Sequence, residues 1–256
     1  LELIKEGIKI ITFFQIKDQI DLLQTYIDKK ITLFSMNHVP RTTLAQNMDA
    51  LSSQSNIAGY KSAIIGASYI PKYMPLLMTA AGTIRPAKVL ILGAGVAGLA
   101  AIATAKRLGA QVFAFDVRPV VKEQVESLGA KFIEVKTGNE DEGVGDGGYA
   151  KETSEDYKKK QSELINQTIE KMDMVITTAL IPERPAPILI TKEMVESMKP
   201  GSVIMDLAAP NGGNCELTKQ DEVINHNSVT IDGMTNLPGT MPAHASFLYA
   251  KNLNNL

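Results

Sequence analysis

The run Val89-Leu-Ile-Leu-Gly93-Ala-Gly95-Val-Ala-Gly98 places three glycines at the spacing G-x-G-x-x-G directly behind four aliphatic residues. That spacing suits the backbone to a diphosphate. Gly93 permits a tight turn out of a strand, Gly95 lets the chain approach the phosphates, and Gly98 lets the next helix pack closely on the sheet. The N-terminus of that helix adds free N–H groups and the positive end of its dipole. A second apolar run, Gln111-Val-Phe-Ala-Phe, ends at Asp116, 21 residues after Gly95. A carboxylate there accepts hydrogen bonds from an adenosine ribose and repels a 2′-phosphate, which favours NAD over NADP. Arg118 pulls the other way, because a nearby arginine accommodates a 2′-phosphate. Similar turns serve S-adenosylmethionine sites and Rossmann domains that hold no nucleotide.

A second polar group, Arg41, Gln46, Asp49 and Ser52, falls within 12 residues. By residue type alone it reads equally as a helix cap with a solvated face. Other catalytic chemistry has little material. The one cysteine, Cys215, excludes a disulfide framework and a cysteine zinc cluster. His38, His226 and His244 are too far apart in sequence to form a local metal motif, and we expect no metal site. With 26 basic and 28 acidic residues the net charge is -2, which gives no basic face for nucleic acid.

The elements that must position these groups follow from periodicity. With 45% hydrophobic and 21% charged residues among 256, the chain has the composition of a folded globular protein. Candidate strands at 88–92, 111–115, 131–134, 173–177, 202–206 and 229–232 alternate with helical stretches at 95–108, 119–128, 155–171 and 191–198. That alternation predicts an α/β fold, a doubly wound parallel sheet of the Rossmann type. Thr191 reads as an N-cap. Upstream, strands at 8–14 and 31–35 flank a helix over 16–29, a βαβ unit. From 45 to 79 the pattern reads as helix divided at Pro71, with Met74, Leu76, Leu77 and Met78 taken as core. The stretch 243–255 reads as a helix that we expect to pack back on the N-terminal unit. We therefore expect a partial second α/β domain from residues 1–51 plus 243–256, and a Rossmann domain over 52–242. The first strand begins so near Leu1 that the sequence reads as a piece of a longer polypeptide. Val89–Ala105 carries no charge over 17 residues, just short of a membrane span, but its glycines mark it as buried strand and helix. The glycine- and carboxylate-rich stretch 137–154 is too long for an ordinary loop and reads as a lid or a tether.

Several of these segments together resemble the NAD(H)-binding domain of proton-translocating NAD(P) transhydrogenase, a family related to alanine dehydrogenase. They are Val39-Pro-Arg41-Thr-Thr-Leu-Ala-Gln46-Asn-Met-Asp49-Ala-Leu-Ser52, the glycine turn with Asp116-Val117-Arg118-Pro119, Asp146-Gly-Gly148-Tyr149-Ala-Lys-Glu, Thr177-Thr178-Ala179-Leu180-Ile-Pro, and Asp206-Leu-Ala-Ala-Pro-Asn-Gly-Gly-Asn214. The resemblance covers nearly the whole chain with the motifs in order. It departs at Leu44, often arginine in the family, at Thr42-Thr43, and at Glu183, usually glycine.

The resemblance implies hydride transfer between NAD(H) here and NADP(H) on a partner domain, coupled to proton movement. It implies a soluble domain of a membrane-bound enzyme, held against a membrane domain and as a homodimer. The membrane would be the mitochondrial inner membrane in a eukaryote and the cell inner membrane in a bacterium. It assigns Arg41, Gln46, Asp49 and Ser52 to the nicotinamide, with Gln46 reaching toward the second nucleotide and Arg41 and Asp49 holding one another. Gly93, Gly95, Val96, Gly98, Asp116, Val117, Arg118 and Gly148 fall to the adenosine and phosphates, Tyr149 to a closing loop, and Thr178, Ala179 and Leu180 to the nicotinamide side. An alanine-dehydrogenase-like enzyme and a non-catalytic NAD-sensing module are the rival readings. On its own this fragment is catalytically incomplete.

Overall fold

Strands buried on both faces read as unbroken apolar runs, and the central strands of this chain are of that kind. The computed structural model describes residues 3–15, 19–135, 154–181 and 184–256. The stretch 136–153, with Gly148 and Tyr149, and the pair 182–183 lie outside the described residues. The chain divides into two units, 1–55 with 241–256, and 56–240.

In the first unit, β1 (Lys9–Thr12) and β2 (Thr32–Ser35) pair in parallel around α1 (Ile20–Asp28). A parallel pair needs a crossover, and α1 supplies it. Past the strands the chain is tied by side chains: Ser35 Oγ donates to the Phe14 carbonyl at 2.7 Å, and the Phe14 N–H donates to Asn37 Oδ1 at 2.7 Å. The boundary between units falls inside α2 (Ala50–Tyr69).

The second unit opens differently from the sequence expectation. The helical pattern stops at Tyr69, and beyond Pro71 the chain forms a hairpin, β3 (Leu77–Thr79) and β4 (Gly82–Ile84), instead of more helix. Prolines at 71 and 75 deny the backbone donors and the α conformation that a helix needs. Of the residues read as core there, Met74 is 7% exposed, whereas Leu76 and Met78 are 57% and 82% exposed, so core packing holds for Met74 and fails for those two.

From here strand and helix alternate: β5 (Lys88–Leu92), α3 (Val96–Arg107), β6 (Gln111–Phe115), α4 (Lys122–Ser127), β7 (Lys131–Ile133), α5 (Glu155–Ile169), β8 (Met174–Thr177), α6 (Lys192–Ser197), β9 (Val203–Asp206), β10 (Val223–His226) and β11 (Val229–Asp232). They build one seven-stranded sheet in the order β10-β11-β9-β8-β5-β6-β7. Every pairing is parallel except β10 with β11, an edge hairpin the periodicity did not reveal because its burial is only partial.

The alternation of side chains across the sheet divides the core in two. Val89, Ile91, Met174, Ile176, Val203 and Met205 pack with residues of α2, α3 and α4 on one face. Leu90, Leu92, Val175, Ile204, Val229 and Ile231 pack with α5 and α6 on the other. Helix α5 starts where Ser154 Oγ accepts from the Tyr157 N–H, and α6 where Thr191 Oγ1 accepts from the Met194 N–H, the N-cap expected there. The doubly wound parallel sheet read from the alternation is the architecture observed.

The chain ends in α7 (Pro242–Asn254), which belongs to the first unit. Gln54 Nε2 donates to the Ala245 carbonyl, Asn252 Nδ2 donates to the Asn47 carbonyl, and Tyr249 stacks on Phe13 at 5.1 Å between ring centroids.

Candidate functional site

The order of the sheet places the reversal of winding between β5 and β8, whose ends pair as Leu92 with Thr177. Ligands of open α/β sheets bind beyond the carboxyl ends of the strands at such a switch point. The two residues that follow are Gly93 and Thr178, and Thr178 Oγ1 donates to the Gly93 carbonyl at 2.9 Å. Gly93 has φ of +99°, and a Cβ there would stand 2.7 Å from that same hydroxyl oxygen. A side chain is thus excluded twice, by conformation and by space.

The other two glycines divide their roles. A Cβ on Gly98 would overlap the Gly93 carbonyl oxygen, so this glycine brings α3 onto the turn. Gly95, at the N-cap of α3, would point a Cβ into open space, with no atom within 4 Å. That open side, beside the N–H groups of the first helical turn, is a cradle of the right kind for a diphosphate. Val96 is exposed at its rim.

Asp116 ties this turn to the neighbouring strand. Its Oδ2 accepts from the Ala94 N–H at 2.7 Å and from Arg118 Nη2 at 2.8 Å, and its Oδ1 accepts from the Arg118 N–H at 2.9 Å and Nε at 2.8 Å. The pair is sheltered, with side chains 5% and 15% exposed. Hydrogen bonding to Asp116 raises the pKa of Arg118 against the opposing effect of burial, so the guanidinium keeps its charge. Val117 packs against the second core face.

On the β8 side, Ala179 is gripped by Asn214, which is fully buried. Asn214 Oδ1 accepts from the Ala179 N–H at 3.0 Å, while its Nδ2 donates to the carbonyls of Ala179 and Pro187, each at 2.8 Å. Asn214 is held in turn by Asp206, whose carboxylate accepts from the N–H groups of Ala208, Asn214 and Cys215 and from the hydroxyls of Thr177 and Thr218. Five donors on one buried carboxylate fix the turn after β9 and, through Asn214, the segment Thr178-Ala179-Leu180. Leu180 itself is exposed. Burial pushes the Cys215 thiol up to about 11, which rules it out as a nucleophile at neutral pH.

Residue-type reasoning passed over Asn214 and Gly59 as site builders. A Cβ on Gly59 would overlap the Ala97 carbonyl oxygen, so α2 crosses α3 at its first turn through this glycine. The available signal was a glycine in mid-helix, which costs about 1 kcal/mol against alanine and therefore points to close packing.

In the polar group of the first unit, Arg41 precedes a 3-10 turn, Thr43–Met48, that carries Gln46; Asp49 follows that turn, and Ser52 lies at the start of α2. Asp49 accepts from the Ser52 N–H at 2.9 Å and the Ser52 hydroxyl at 2.6 Å, which is helix-capping geometry. Arg41, Leu44 and Gln46 are exposed. The structure brings Asp49 and Ser52 together, and separately gathers Gly93, Gly95, Gly98, Asp116, Arg118 and Thr178.

Comparison with known proteins extends this picture. A model of the alanine dehydrogenase/PNT C-terminal domain matches residues 62–256, and one of the alanine dehydrogenase/PNT N-terminal domain matches 1–58. An NAD(P) transhydrogenase alpha-subunit protein of Rhodospirillum rubrum is 51% identical over 253 residues, 99% of this chain and 66% of that protein. The crystal structure of transhydrogenase from Sinorhizobium meliloti superposes with a TM-score of 0.85 at 45% identity, over 97% of this chain and 67% of that one. An L-alanine dehydrogenase follows at 0.78 and 26%, over 98% and 65%. The chain thus spans a little under two thirds of the Rhodospirillum rubrum relative.

Proposed function

The chain belongs to the alanine dehydrogenase/PNT family, and on that premise we propose that it is the NAD(H)-binding component of a proton-translocating NAD(P) transhydrogenase. The observation that carries the reading is the glycine turn at the switch point, with Gly95 open and Asp116 bonded to the Ala94 N–H. Identity of 45% to a solved transhydrogenase, against 26% to a solved alanine dehydrogenase, favours transfer between nucleotides over a substrate dehydrogenase.

In this reading the N–H groups at the start of α3 hold the pyrophosphate, with Gly93, Gly95, Val96 and Gly98 shaping the turn. Asp116, Val117 and Arg118 serve the adenosine side. Thr178, Ala179 and Leu180, held by Asn214, line the nicotinamide side. When bound, the nicotinamide gives or takes the hydride. The protein's own task is to set the ring in place and keep water out, which needs no acid or base at carbon. Arg41, Gln46, Asp49 and Ser52 orient the carboxamide and ribose, with Gln46 turned to the incoming nucleotide. NADP(H) is carried by a partner domain, and a membrane domain of the same enzyme moves the proton. The protein works as a homodimer at the mitochondrial inner membrane or the cell inner membrane. Among the described residues no helix is long and apolar enough to cross a membrane.

The test is reconstitution. Mixed with a separate NADP(H)-binding domain, the protein should support NADH-dependent reduction of an NADP analogue. No reaction at any ratio, with both partners folded, overturns the assignment. NADH oxidation by pyruvate and ammonia without the partner would establish the alanine dehydrogenase reading instead.

A further inference from the structure

A carboxylate offers about four lone-pair positions to donors. At Asp116 four donors are already in place, the N–H groups of Ala94 and Arg118 and the Nε and Nη2 of the Arg118 guanidinium. The two backbone donors are fixed by the turns they belong to. The two guanidinium donors sit on a side chain and move with its rotamer. A ribose 2′,3′-diol also presents two donors side by side, and an acid at the end of this strand is where such a diol binds. Fork and diol therefore require the same two acceptor positions on a carboxylate whose other two are permanently taken.

We propose that Arg118 is a specificity-determining residue that competes with the adenosine ribose for Asp116, lowering NAD(H) affinity and at the same time softening the rejection of a 2′-phosphate. This rests on the assignment of the turn to the adenosine side of a dinucleotide. With the guanidinium on Asp116 the pair is neutral, so the carboxylate repels a 2′-phosphate less than a bare one would. Once a ribose takes those positions, the Nε and Nη2 that had faced Asp116 turn away from it two residues along the chain, and a phosphate suits that fork. Arg118 thus works against Asp116 at both steps. The ion pair stabilises the protein without nucleotide and is lost once the ribose has taken its place. By linkage, a substitution that removes the fork lowers stability more without nucleotide than with it, and raises nucleotide affinity by that difference.

The experiment compares the parent with Arg118→Met, which keeps the aliphatic stem, and Arg118→Lys, which keeps the charge but not the fork. Probes are ADP-ribose, NADH and NADPH, titrated by calorimetry, with thermal unfolding measured alone and at saturating NADH. Arg118→Met should bind ADP-ribose and NADH about tenfold tighter, the equivalent of one charge-assisted hydrogen bond. NADPH should gain less, so that the ratio of the two affinities widens. Arg118→Lys should fall between. The melting temperature of Arg118→Met should lie below the parent's without nucleotide, and the gap should narrow at saturation. Affinity equal to or weaker than the parent's in a folded variant overturns the proposal, as does a melting gap that does not narrow at saturation. Should Arg118→Met fail to fold with Asp116 unpaired, Arg118→Lys decides by the same criterion. A parent that binds neither ADP-ribose nor NADH sinks the dinucleotide reading as well. A parent that binds both while the variants bind no tighter sinks this inference alone.

Discussion

A methyl group placed on either of two glycines separates what the turn does for the fold from what it does for a ligand. On Gly98 it would overlap the Gly93 carbonyl oxygen, and Gly98→Ala should destabilise the protein by about 2 kcal/mol, the usual cost of overpacking, as read by urea unfolding. On Gly95 it meets nothing within 4 Å and φ is an ordinary -76°. Gly95→Ala should therefore leave stability within about 0.5 kcal/mol yet weaken NADH about tenfold, since the methyl stands where the phosphates approach. Nucleotide fluorescence measures the second effect, and undiminished affinity would remove the diphosphate from this turn. Gln46 makes the opposite kind of prediction. It is exposed on its 3-10 turn, so Gln46→Ala should leave fold and NADH affinity nearly unchanged while slowing hydride transfer to the partner domain. A loss on the order of 10²-fold in single-turnover rate is the expectation for a residue whose work is alignment. A defect confined to binding would make Gln46 a ground-state contact.

At the scale of elements, α2 settles where helix α3 begins. Alanine ordinarily gains about 1 kcal/mol over glycine in a helix interior. At Gly59 the sign should reverse, because the new Cβ would overlap the backbone oxygen of Ala97 in α3, and backbone yields less readily than the end of a flexible side chain. We expect Gly59→Ala to cost about 2 kcal/mol. Seven residues on, a Cβ at Gly66 meets the Met174 sulfur and the Met205 side chain instead. A thioether is flexible, so Gly66→Ala should be the milder of the two. Equal losses in a denaturant series would mean that the helix crossing at Gly59 is not the close one.

At the scale of the larger unit, the end of the sheet opposite the switch point is tied by one carboxylate. Asp173 accepts from the Lys88 N–H at 2.8 Å at the start of β5, from Lys72 beyond α2 at 3.0 Å, and from Lys199 before β9 at 3.4 Å. Burial works to raise its pKa, and the Lys88 N–H with the two ammonium groups outweighs it, so the carboxyl stays below its ordinary 3.8. A group depressed on folding adds stability that is full above its unfolded value and fades as pH falls through the folded one. Asp173→Asn should thus be less stable than the parent at pH 7, and the two should converge as pH drops below about 4. Parallel curves down to pH 2 would show that the charge of Asp173 is not what ties these segments.

The one-dimensional pattern was enough for the doubly wound sheet, because strands buried on both faces and helices buried on one leave different periods in the chain. It was also enough for the glycine turn, since only glycine satisfies a positive φ, an open cradle and a close helix at that spacing. It misjudged 71–79, where local apolar content suggested helix while two prolines and exposure produced a hairpin. The partners of Asp116 were beyond its reach. Sequence showed an acid and an arginine two residues apart with opposed preferences for a 2′-phosphate, but not that their side chains bind each other through two hydrogen bonds. Nor could it show that Asn214 clasps Ala179 from 35 residues away. A residue's type fixes which hydrogen bonds it is able to make. Which of them it does make depends on groups that only the closed fold brings within 3 Å, and there the sheet, by setting β5, β6, β8 and β9 side by side, made the choice.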